Sequence, residues 1–387
     1  MMKNFIYANP TKIIFGKGSI ANITSEIPVS SNVLVLYGGG SIRSNGVYDQ
    51  VMSALSDHTV LEFSGIEANP HYETCLKAVE FIKKNNIDFL LAVGGGSVLD
   101  ATKFIAAASQ FTGNNPWDIL VKHGHNIETA LPFGAVITLP ATGSEMNNGG
   151  VITRAATEEK LAFSSTHTFP IFSVLDPETT YSLPIKQISN GIVDAFVHVI
   201  EQYLTVNSNK LLLQDYMAES ILQVLVQEAP ALIQNGYDYD SRANFMWAAT
   251  WALNGWIACG VEEDWATHMI GHELTALYGL DHAQTLAIIL PGLLHIMKIQ
   301  KSQKIARLGQ VIFNIHEDDA ERQLDLTIQA IEKFFNAVGI KTCLSDYGLN
   351  SEAIAPIVAR FADRGWKLGE CKNIESEQIK EILELRL

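Results

Sequence analysis

Apolar runs alternate with amphipathic segments along the first half of the chain. The runs are rich in β-branched residues and nearly continuous, whereas 75–86 and 98–109 carry apolar residues at helical spacing. Strands of this kind that alternate with helices are typical of a parallel sheet covered on both faces. The predicted strands, with the loops that end them, are VLVLYGGG (33–40), VLEF (60–63), DFLLAVGGGS (88–97), GAVITLPATGSE (134–145), VITR (151–154) and FSVLD (172–176).

Beyond about residue 180 the strand pattern gives way to helical spacing. The turn-forming stretch DPETTYSLP (176–184) marks the change. We therefore expect an α/β domain over 1–182 and an all-helical domain over 183–387. The candidate helices are 185–204, 210–234, 239–258, 262–278, 282–298, 302–313, 320–337, 351–363 and 375–386.

Composition and charge restrict the classes of function that the chain can have. The 387 residues are 47% hydrophobic and 18% charged, and the formal net charge is −15. An acidic chain repels phosphodiester backbones, so we expect no nucleic-acid partner. The most apolar stretch, AQTLAIILPGLLHIM, has a continuous core too short to span a bilayer and is interrupted by Pro291, so we expect no membrane association. Four scattered cysteines and the lack of an apolar signal-peptide core at the start favour a cytoplasmic protein.

Three predicted strands end in loops suited to a nucleotide. Glycine lets backbone N–H groups approach a phosphate, and a helix that begins directly after such a loop adds free donors. A single loop of this kind is more often only a tight turn, but three in one domain favour a nucleotide-type ligand. The pattern is not GxGxxG, so the Rossmann fingerprint is absent. The loops are Gly38-Gly39-Gly40-Ser41, Gly94-Gly95-Gly96-Ser97 and Thr142-Gly143-Ser144.

The first loop also bears on the choice of cofactor. The stretch YGGGSIRSNG contains no carboxylate to accept the ribose 2′-hydroxyl of NAD. Glycine N–H groups, the Ser41 hydroxyl and Arg43 would suit the 2′-phosphate of NADP. The alternative interpretation of Arg43 is an ordinary solvated surface residue.

Histidines and one aspartate recur at helical spacing in the second half. Asp194 and His198 are four residues apart on a mostly apolar predicted helix, and so are His268 and His272. Gly279 and Leu280 end the second helix, and Asp281 is a suitable N-cap for a helix that begins with His282. One aspartate with up to three histidines suits Zn²⁺ or Fe²⁺ better than Ca²⁺ or Mg²⁺. Taken singly, either pair is more often a salt bridge or a satisfied core histidine.

These motifs resemble the iron-containing alcohol dehydrogenase family over essentially the whole chain. Two further stretches, YGGGSIRSNGVYDQV and FSGIEANPHYET, resemble its NADPH-dependent butanol dehydrogenase and broad-specificity aldehyde reductase branch. The resemblance implies a dinucleotide-binding α/β domain followed by an all-helical metal-binding domain. The family motifs are PTKIIFGKGSI (10–20), GGGSVLDATK (94–103), LPATGSE (139–145), LDPETTYSLP (175–184), DAFVHVIEQY (194–203) and HMIGHELTALYGLDHAQTLAIILP (268–291).

The resemblance also implies roles for individual residues. His272 would lie beside the nicotinamide rather than on the metal and act in proton transfer, and Asp100 would serve both catalysis and cofactor binding. Ala283 follows His282 where many relatives have glycine, which puts the start of that helix in doubt. The implied metal ligands are Asp194, His198, His268 and His282. The implied cofactor contacts are Gly38, Gly39, Gly40, Ser41, Asn69, Pro70, Gly94, Gly95, Gly96, Ser97, Asp100, Thr138, Thr142, Asn147 and Lys160.

The predicted activity is the NADP(H)-dependent reduction of short- to medium-chain aldehydes to primary alcohols. A bound divalent metal, Zn²⁺ or Fe²⁺, would polarise the carbonyl. The alternatives are a polyol dehydrogenase of the same fold and a non-catalytic NADPH-binding redox sensor. A dehydroquinate synthase would need more basic side chains than the single Arg242 of the region 240–290. We expect a small aldehyde or alcohol substrate and a homodimer, for which the edge segment KIIFG (12–16) offers a pairing surface.

Overall fold

The computed structural model describes residues 2–206, 211–234 and 237–387. The described residues fall into two compact units. The α/β unit is bounded by Ala8–Pro184 and Gly236–Thr250, and the helical unit by Met1–Tyr7, Ile185–Asn235 and Trp251–Leu387. Residues up to Thr250 of the helix that begins at Tyr239 thus pack with the α/β unit, although the sequence pattern grouped them with the helical domain.

A six-stranded parallel sheet forms the centre of the α/β unit. Its strand order is β1-β8-β5-β4-β2-β3, and every neighbouring pair is parallel. The predicted parallel sheet is therefore confirmed, and KIIFG supplies its edge strand β1. The sheet strands are β1 (Lys12–Phe15), β2 (Asn32–Tyr37), β3 (Thr59–Phe63), β4 (Phe89–Gly95), β5 (Phe133–Leu139) and β8 (Phe172–Leu175).

Helices cover both faces of this sheet. Leu34 and Leu36 of β2 face one apolar core, whereas Val33 and Val35 face another, because successive strand side chains point to opposite faces. This double burial explains why the strands are nearly continuous apolar runs. The helices of this part of the chain are α1 (Ile23–Glu26), α2 (Ser41–Ser44), α3 (Val47–Ala54), α4 (Tyr72–Asn85), α5 (Gly96–Gln110) and α6 (Asp118–Val121).

The prediction for the strand VITR needs correction. It was expected in the parallel sheet, but it lies in β6 (Gly149–Arg154), which pairs antiparallel with β7 (Glu159–Ser164) in a separate two-stranded sheet. No strand was predicted at β7. The hairpin is tied to the loop after β3, since Thr153 N donates to Pro70 O at 2.9 Å. It thereby helps to fix the Asn69–Pro70 loop.

The strand order places two glycine loops side by side. From β2 the chain adds β3 on one side, then crosses to add β4 on the other side of β2. The loops after β2 and β4 therefore leave the sheet in opposite directions at a topological switch point. Beyond the carboxyl ends of parallel strands, such a point forms the crevice where ligands bind.

The second half of the chain is helical, as predicted. The predicted helix 239–258 ends earlier, at Ala252, and the predicted start at residue 210 lies outside the described residues. Among the described residues, no helix combines the length and apolarity that a bilayer crossing requires. The helices are α7 (Ile185–Tyr203), α8 (Leu212–Gln234), α9 (Tyr239–Ala252), α10 (Ala266–Tyr278), α11 (His282–Ile296), α12 (Ser302–Phe313), α13 (Ala320–Ala337), α14 (Ile354–Arg364) and α15 (Ser376–Glu384).

Candidate functional site

Helix α7 carries Asp194 and His198 one turn apart on a buried face. Oδ1 of Asp194 lies 3.6 Å from Nε2 of His198, and it lies the same distance, 3.6 Å, from Nε2 of His282. Both α7 side chains are buried. A buried aspartate that faces two imidazoles is the arrangement expected around a cation.

The turn between α10 and α11 brings two more histidines to this point. His268 lies in the first turn of α10, and Gly279 ends that helix in the left-handed conformation at φ 69°. Asp281 then caps α11 in a capping box, and its backbone N–H donates to Oε1 of Gln284 at 3.1 Å. The predicted N-cap is confirmed. Ala283 in place of glycine does not change the start of the helix, which begins at His282.

Together these side chains form a compact donor set. The ligand atoms of Asp194, His198, His268 and His282 all lie within 4.8 Å of one another. A tetrahedral site with bonds of about 2.0–2.1 Å has ligand–ligand distances of about 3.4 Å, so the 3.6 Å separations need little adjustment. One carboxylate and three imidazoles fit Zn²⁺ or Fe²⁺.

His272 stands beside this set rather than within it. Its ring centroid lies 5.4 Å from that of His282 and 6.3 Å from that of His268. The side chain is buried on the same helix as His268. The structure thus places His272 next to the candidate metal centre, where a proton-transfer role is sterically feasible.

Two residues that neighbour the donor set were not predicted from the sequence. Glu201 of α7 accepts hydrogen bonds from the backbone N–H of Thr267, at 2.6 Å, and of His268, at 3.3 Å, and its other oxygen contacts His268 Nδ1. The Trp265 ring packs against His268 with centroids 5.1 Å apart. The spacing Asp194, His198, Glu201 repeats on one helix face and would have indicated Glu201.

Burial determines the electrostatics of Glu201. Burial raises the pKa of Glu201 to about 8, and the carboxylate of Asp264 adds to this shift. The backbone N–H groups of Thr267 and His268 and the charge of His198 act in the opposite direction. A divalent cation in the donor set would counteract this rise in pKa, because positive charge favours the carboxylate.

In the α/β unit, the predicted cofactor residues gather at the switch point. Gly38–Ser41 follow β2, and Gly94–Ser97 join β4 to the N-terminus of α5. Asn69 N donates to Ser97 Oγ at 3.3 Å, and Lys160 Nζ donates to Asn69 Oδ1 at 2.9 Å. These two hydrogen bonds bring together the loop after β3, the start of α5 and the hairpin. Thr138 lies in β5 and is buried.

Glycine suits two positions of these loops for different physical reasons. A Cβ on Gly96 would lie 2.5 Å from the side chain of Thr142, so packing alone requires glycine there. A Cβ on Gly39 would meet nothing within 4 Å, and its φ is not positive. Neither packing nor a positive φ requires glycine at position 39, and the open space beside it would let a ligand approach the backbone closely.

A buried polar network fixes the segment after β5. Lys103 Nζ donates to Ser144 Oγ, Asn147 Oδ1 and Gly149 O, each at 2.7 Å. Ser144 Oγ in turn donates to Asp100 Oδ1 at 2.7 Å. Burial lowers the pKa of Lys103 to about 8, against the opposite effect of Asp100 and Glu145. Burial raises the pKa of Asp100, and Lys103 counteracts that shift.

Asp100 is thus fully engaged within the protein. Its second carboxylate oxygen accepts the backbone N–H of Val151 at 3.0 Å. These contacts place Asp100 near the predicted cofactor loops but give it a structural part in joining α5 to the hairpin. Lys103 was not predicted from the sequence, although it stands one turn from Asp100 within the motif GGGSVLDATK.

Arg43 lies beside the first glycine loop with a carboxylate from the neighbouring strand. Its guanidinium donates to Tyr37 Oη at 2.6 Å, pairs with Glu62 and lies 4.0 Å from the centre of the Tyr48 ring. Glu62 also accepts from the hydroxyls of Tyr37, at 2.8 Å, and Tyr48, at 2.7 Å. The carboxylate that the loop sequence lacks is therefore present nearby, but its oxygens already accept internal hydrogen bonds.

Family comparisons cover nearly the whole chain. Residues 10–177 match the family model described as iron-containing alcohol dehydrogenase. Residues 188–387 match the model described as Fe-containing alcohol dehydrogenase family, C-terminal.

Individual relatives are similar over the same extent. The chain is 49% identical over 385 residues to the NADPH-dependent aldehyde reductase YqhD of Escherichia coli (strain K12), covering 99% of each chain. The crystal structure of E. coli YqhD has a TM-score of 0.98 at 48% identity, with 100% of this chain and 99% of that one covered. The structure of NADH-dependent butanol dehydrogenase A from Thermotoga maritima has a TM-score of 0.94 at 37% identity, covering 100% and 99%. The chain belongs to the iron-containing alcohol dehydrogenase family.

Proposed function

We propose that this protein is a metal-dependent, NADPH-linked aldehyde reductase that converts short- to medium-chain aldehydes to primary alcohols. The observation that carries the proposal is the donor set of Asp194, His198, His268 and His282, gathered within 4.8 Å in a chain of this family. When bound there, a divalent cation supplies a Lewis acid for a carbonyl oxygen.

The glycine loops support a dinucleotide as the second component. Backbone N–H groups at Gly39 and at the N-terminus of α5 suit a pyrophosphate, and NADPH bound there supplies the hydride. The carboxylate of Glu62 already accepts hydrogen bonds from Tyr37 and Tyr48 and pairs with Arg43, so it is not arranged to accept a ribose 2′-hydroxyl. Arg43 uses Nε and Nη2 for its bonds to Tyr37 and Glu62, so the Nη1 of this exposed side chain suits a 2′-phosphate beside the loop. This favours NADPH over NADH, as in the name of the E. coli relative and unlike that of the T. maritima one.

The protein's own side chains define the rest of the chemistry. His272 is an ionisable group next to the donor set and is proposed to pass a proton to the product oxygen. The adjacent residue, Glu273, pairs with Arg360 at 3.0 Å and with Arg364. Both arginines lie outside the region 240–290, in which Arg242 is the only lysine or arginine. This scarcity of basic side chains around His268, His272 and His282 in the sequence favours a neutral carbonyl substrate over an anionic one.

We also propose a cytoplasmic homodimer. All four cysteines are free, which suits a reducing compartment. Strand β1 forms one edge of the parallel sheet and offers backbone groups for pairing with a second copy. Sedimentation analysis of the purified protein gives the oligomeric state directly, and a monomer at working concentration would exclude the dimer.

The test of the proposed function separates metal, cofactor and turnover. His198→Ala removes one of four ligands, while His295→Ala, a half-buried histidine of α11 outside the donor set, serves as the matched control. Binding of zinc at a structural site contributes about 10–16 kcal/mol, so one ligand of four contributes about 2.5–4 kcal/mol, or roughly 60- to 700-fold in affinity. Metal content by elemental analysis, NADPH binding by fluorescence and NADPH oxidation with butanal are measured on each protein.

We expect wild type and His295→Ala to hold metal and oxidise NADPH with butanal. His198→Ala should lose both the metal and turnover yet bind NADPH normally. Tight NADPH binding without turnover in the metal-loaded wild type would instead indicate a sensor. Undiminished turnover in chelator-treated, metal-free protein would refute the role given to the cation.

A further inference from the structure

Glu201 is a buried carboxylate that the donor set does not include. It follows His198 by three residues on α7 and is 3% exposed. One oxygen accepts the N–H groups of Thr267 and His268 at the start of α10, and the other contacts His268 Nδ1. Glu201 therefore holds both the backbone and the side chain of a candidate metal ligand.

The contact with Nδ1 decides which nitrogen of His268 remains for a cation. A neutral imidazole carries its proton on one nitrogen and a lone pair on the other. A carboxylate at Nδ1 favours the tautomer with the proton on Nδ1, which leaves Nε2 to donate its lone pair. Carboxylates in this position orient metal-binding histidines and increase their basicity.

We propose that Glu201 is a positioning residue of the metal centre, which fixes the tautomer and ring orientation of His268 so that Nε2 faces the cation. This inference rests on the proposed metal-dependent function and names a residue that acts through a ligand without being one. It predicts that metal affinity depends on the charge and acceptor character of Glu201.

The alternative is that Glu201 only anchors the start of α10. That segment has other anchors, which makes the two roles separable. Asp264 Oδ1 accepts the N–H of Ala266 at 2.8 Å. Lys301, whose side chain is 1% exposed, donates to Asp264 at 2.6 Å and to Glu370 at 2.9 Å. These contacts should keep the start of α10 in place when Glu201 is replaced by an isosteric residue.

Glu201→Gln is the informative substitution. Its amide oxygen still accepts a backbone N–H, but an amide NH₂ facing His268 Nδ1 demands the opposite tautomer, with the proton on Nε2. Glu201→Asp keeps the carboxylate on a shorter side chain and tests for partial rescue. Glu219→Gln is the matched control, because Glu219 is also buried in the helical unit but pairs with Arg307 and accepts from Tyr203 Oη at 2.8 Å.

Metal affinity and spectrum are measured on full-length protein stripped with a chelator. Zn²⁺ affinity is determined by competition with a chromogenic chelator, and Co²⁺ is added for its visible absorption. We expect Glu201→Gln to bind Zn²⁺ roughly 10- to 100-fold more weakly and to shift the Co²⁺ bands. Glu201→Asp should recover part of the affinity, and Glu219→Gln should match wild type.

The outcomes separate this inference from the proposed function. Wild-type affinity and an unchanged Co²⁺ spectrum in Glu201→Gln would overturn the positioning role alone. An equal loss of affinity in Glu219→Gln would also overturn it, since the effect would then reflect general stability. If the wild type itself binds neither Zn²⁺ nor Co²⁺, the proposed metal function fails, and the role of Glu201 fails with it.

Discussion

Replacing Lys103 with methionine should destabilise the α/β unit and loosen the segment after β5. Lys103 is 0% exposed, and its three ammonium donors each have an acceptor at 2.7 Å. Methionine fills a similar volume but donates no hydrogen bond. Ser144 and Asn147 would then lose the group that holds them, and Asp100 would lose its neighbouring positive charge.

The size of the expected destabilisation follows from these contacts. Hydrogen bonds to a charged group contribute about 1.5–3 kcal/mol each, so three give a gross value of about 5–9 kcal/mol. The apolar methionine side chain offsets part of this loss of free energy because its burial is favourable. The net cost should therefore be about 3–5 kcal/mol, the range that is typical when one partner of a buried ion pair is removed. For a unit of this size, 1 kcal/mol lowers Tm by about 2–4 °C, so we expect a decrease of roughly 10 °C.

The effect should depend on pH in a definite direction. Burial lowers the pKa of Lys103 from 10.5 to about 8, so between these values the unfolded chain binds more protons than the folded one. The stability contributed by this group therefore rises with pH across that window, by up to about 3 kcal/mol. The methionine variant lacks this titration, and the stability advantage of wild type should widen from pH 8 to pH 10.

Differential scanning calorimetry with and without NADPH measures the change. Added NADPH identifies the transition of the unit that binds it, since a ligand raises the Tm of the state it binds. Lys77→Met, an exposed position on α4, controls for the loss of one lysine. A Tm decrease no larger than that of Lys77→Met, or a difference between wild type and Lys103→Met that does not change with pH, would refute the reasoning.

Two further predictions concern the glycine loops and the adjacent cation. Gly39→Ala should weaken NADPH binding several-fold with Tm unchanged, because its Cβ meets no protein atom, whereas Gly96→Ala should lower Tm through its clash with Thr142. NADPH titration measures the affinity and thermal unfolding measures the Tm of the two variants. A lower Tm for Gly39→Ala than for Gly96→Ala would contradict the prediction. Arg43→Ala should weaken NADPH binding about 10-fold and NADH binding less than twofold, since only NADPH carries the 2′-phosphate that this guanidinium would contact. Equal losses for the two cofactors would assign Arg43 to the support of Tyr48 instead.

The sequence predicted those parts of the fold whose hydrophobic pattern is strong. Continuous apolar runs at 33–37 and 89–93 could be recognised as doubly buried strands, and the helices of the second half have clear spacing. The N-cap at Asp281 and the C-cap at Gly279 followed from residue chemistry alone. Features encoded by local periodicity and capping were thus available before any coordinates.

The features that were missed depend on contacts distant in sequence. β7 (Glu159–Ser164) is half exposed and becomes a strand only because β6 pairs with it. Lys103 is a polar residue on an apolar helix, and its acceptors lie 41 or more residues away. Glu62 lies in β3 and pairs with Arg43 of α2, the helix that follows the neighbouring strand β2, so a search of the loop sequence for a carboxylate did not find it.

The residues of the two candidate sites belong to different units, so the metal-binding and cofactor-binding parts of the proposal can be tested separately. Asp194, His198, His268, His282 and Glu201 all belong to the helical unit, whereas the glycine loops, Asp100 and Lys103 all belong to the α/β unit. Substitutions of buried polar groups act mainly on the contacts they remove. Metal affinity should therefore respond to His198 and Glu201 while NADPH affinity responds to Gly39 and Lys103. If Lys103→Met weakened Zn²⁺ binding as much as it weakened NADPH binding, the two sites would not be independent, and the binding assays would have to be interpreted as a single coupled equilibrium.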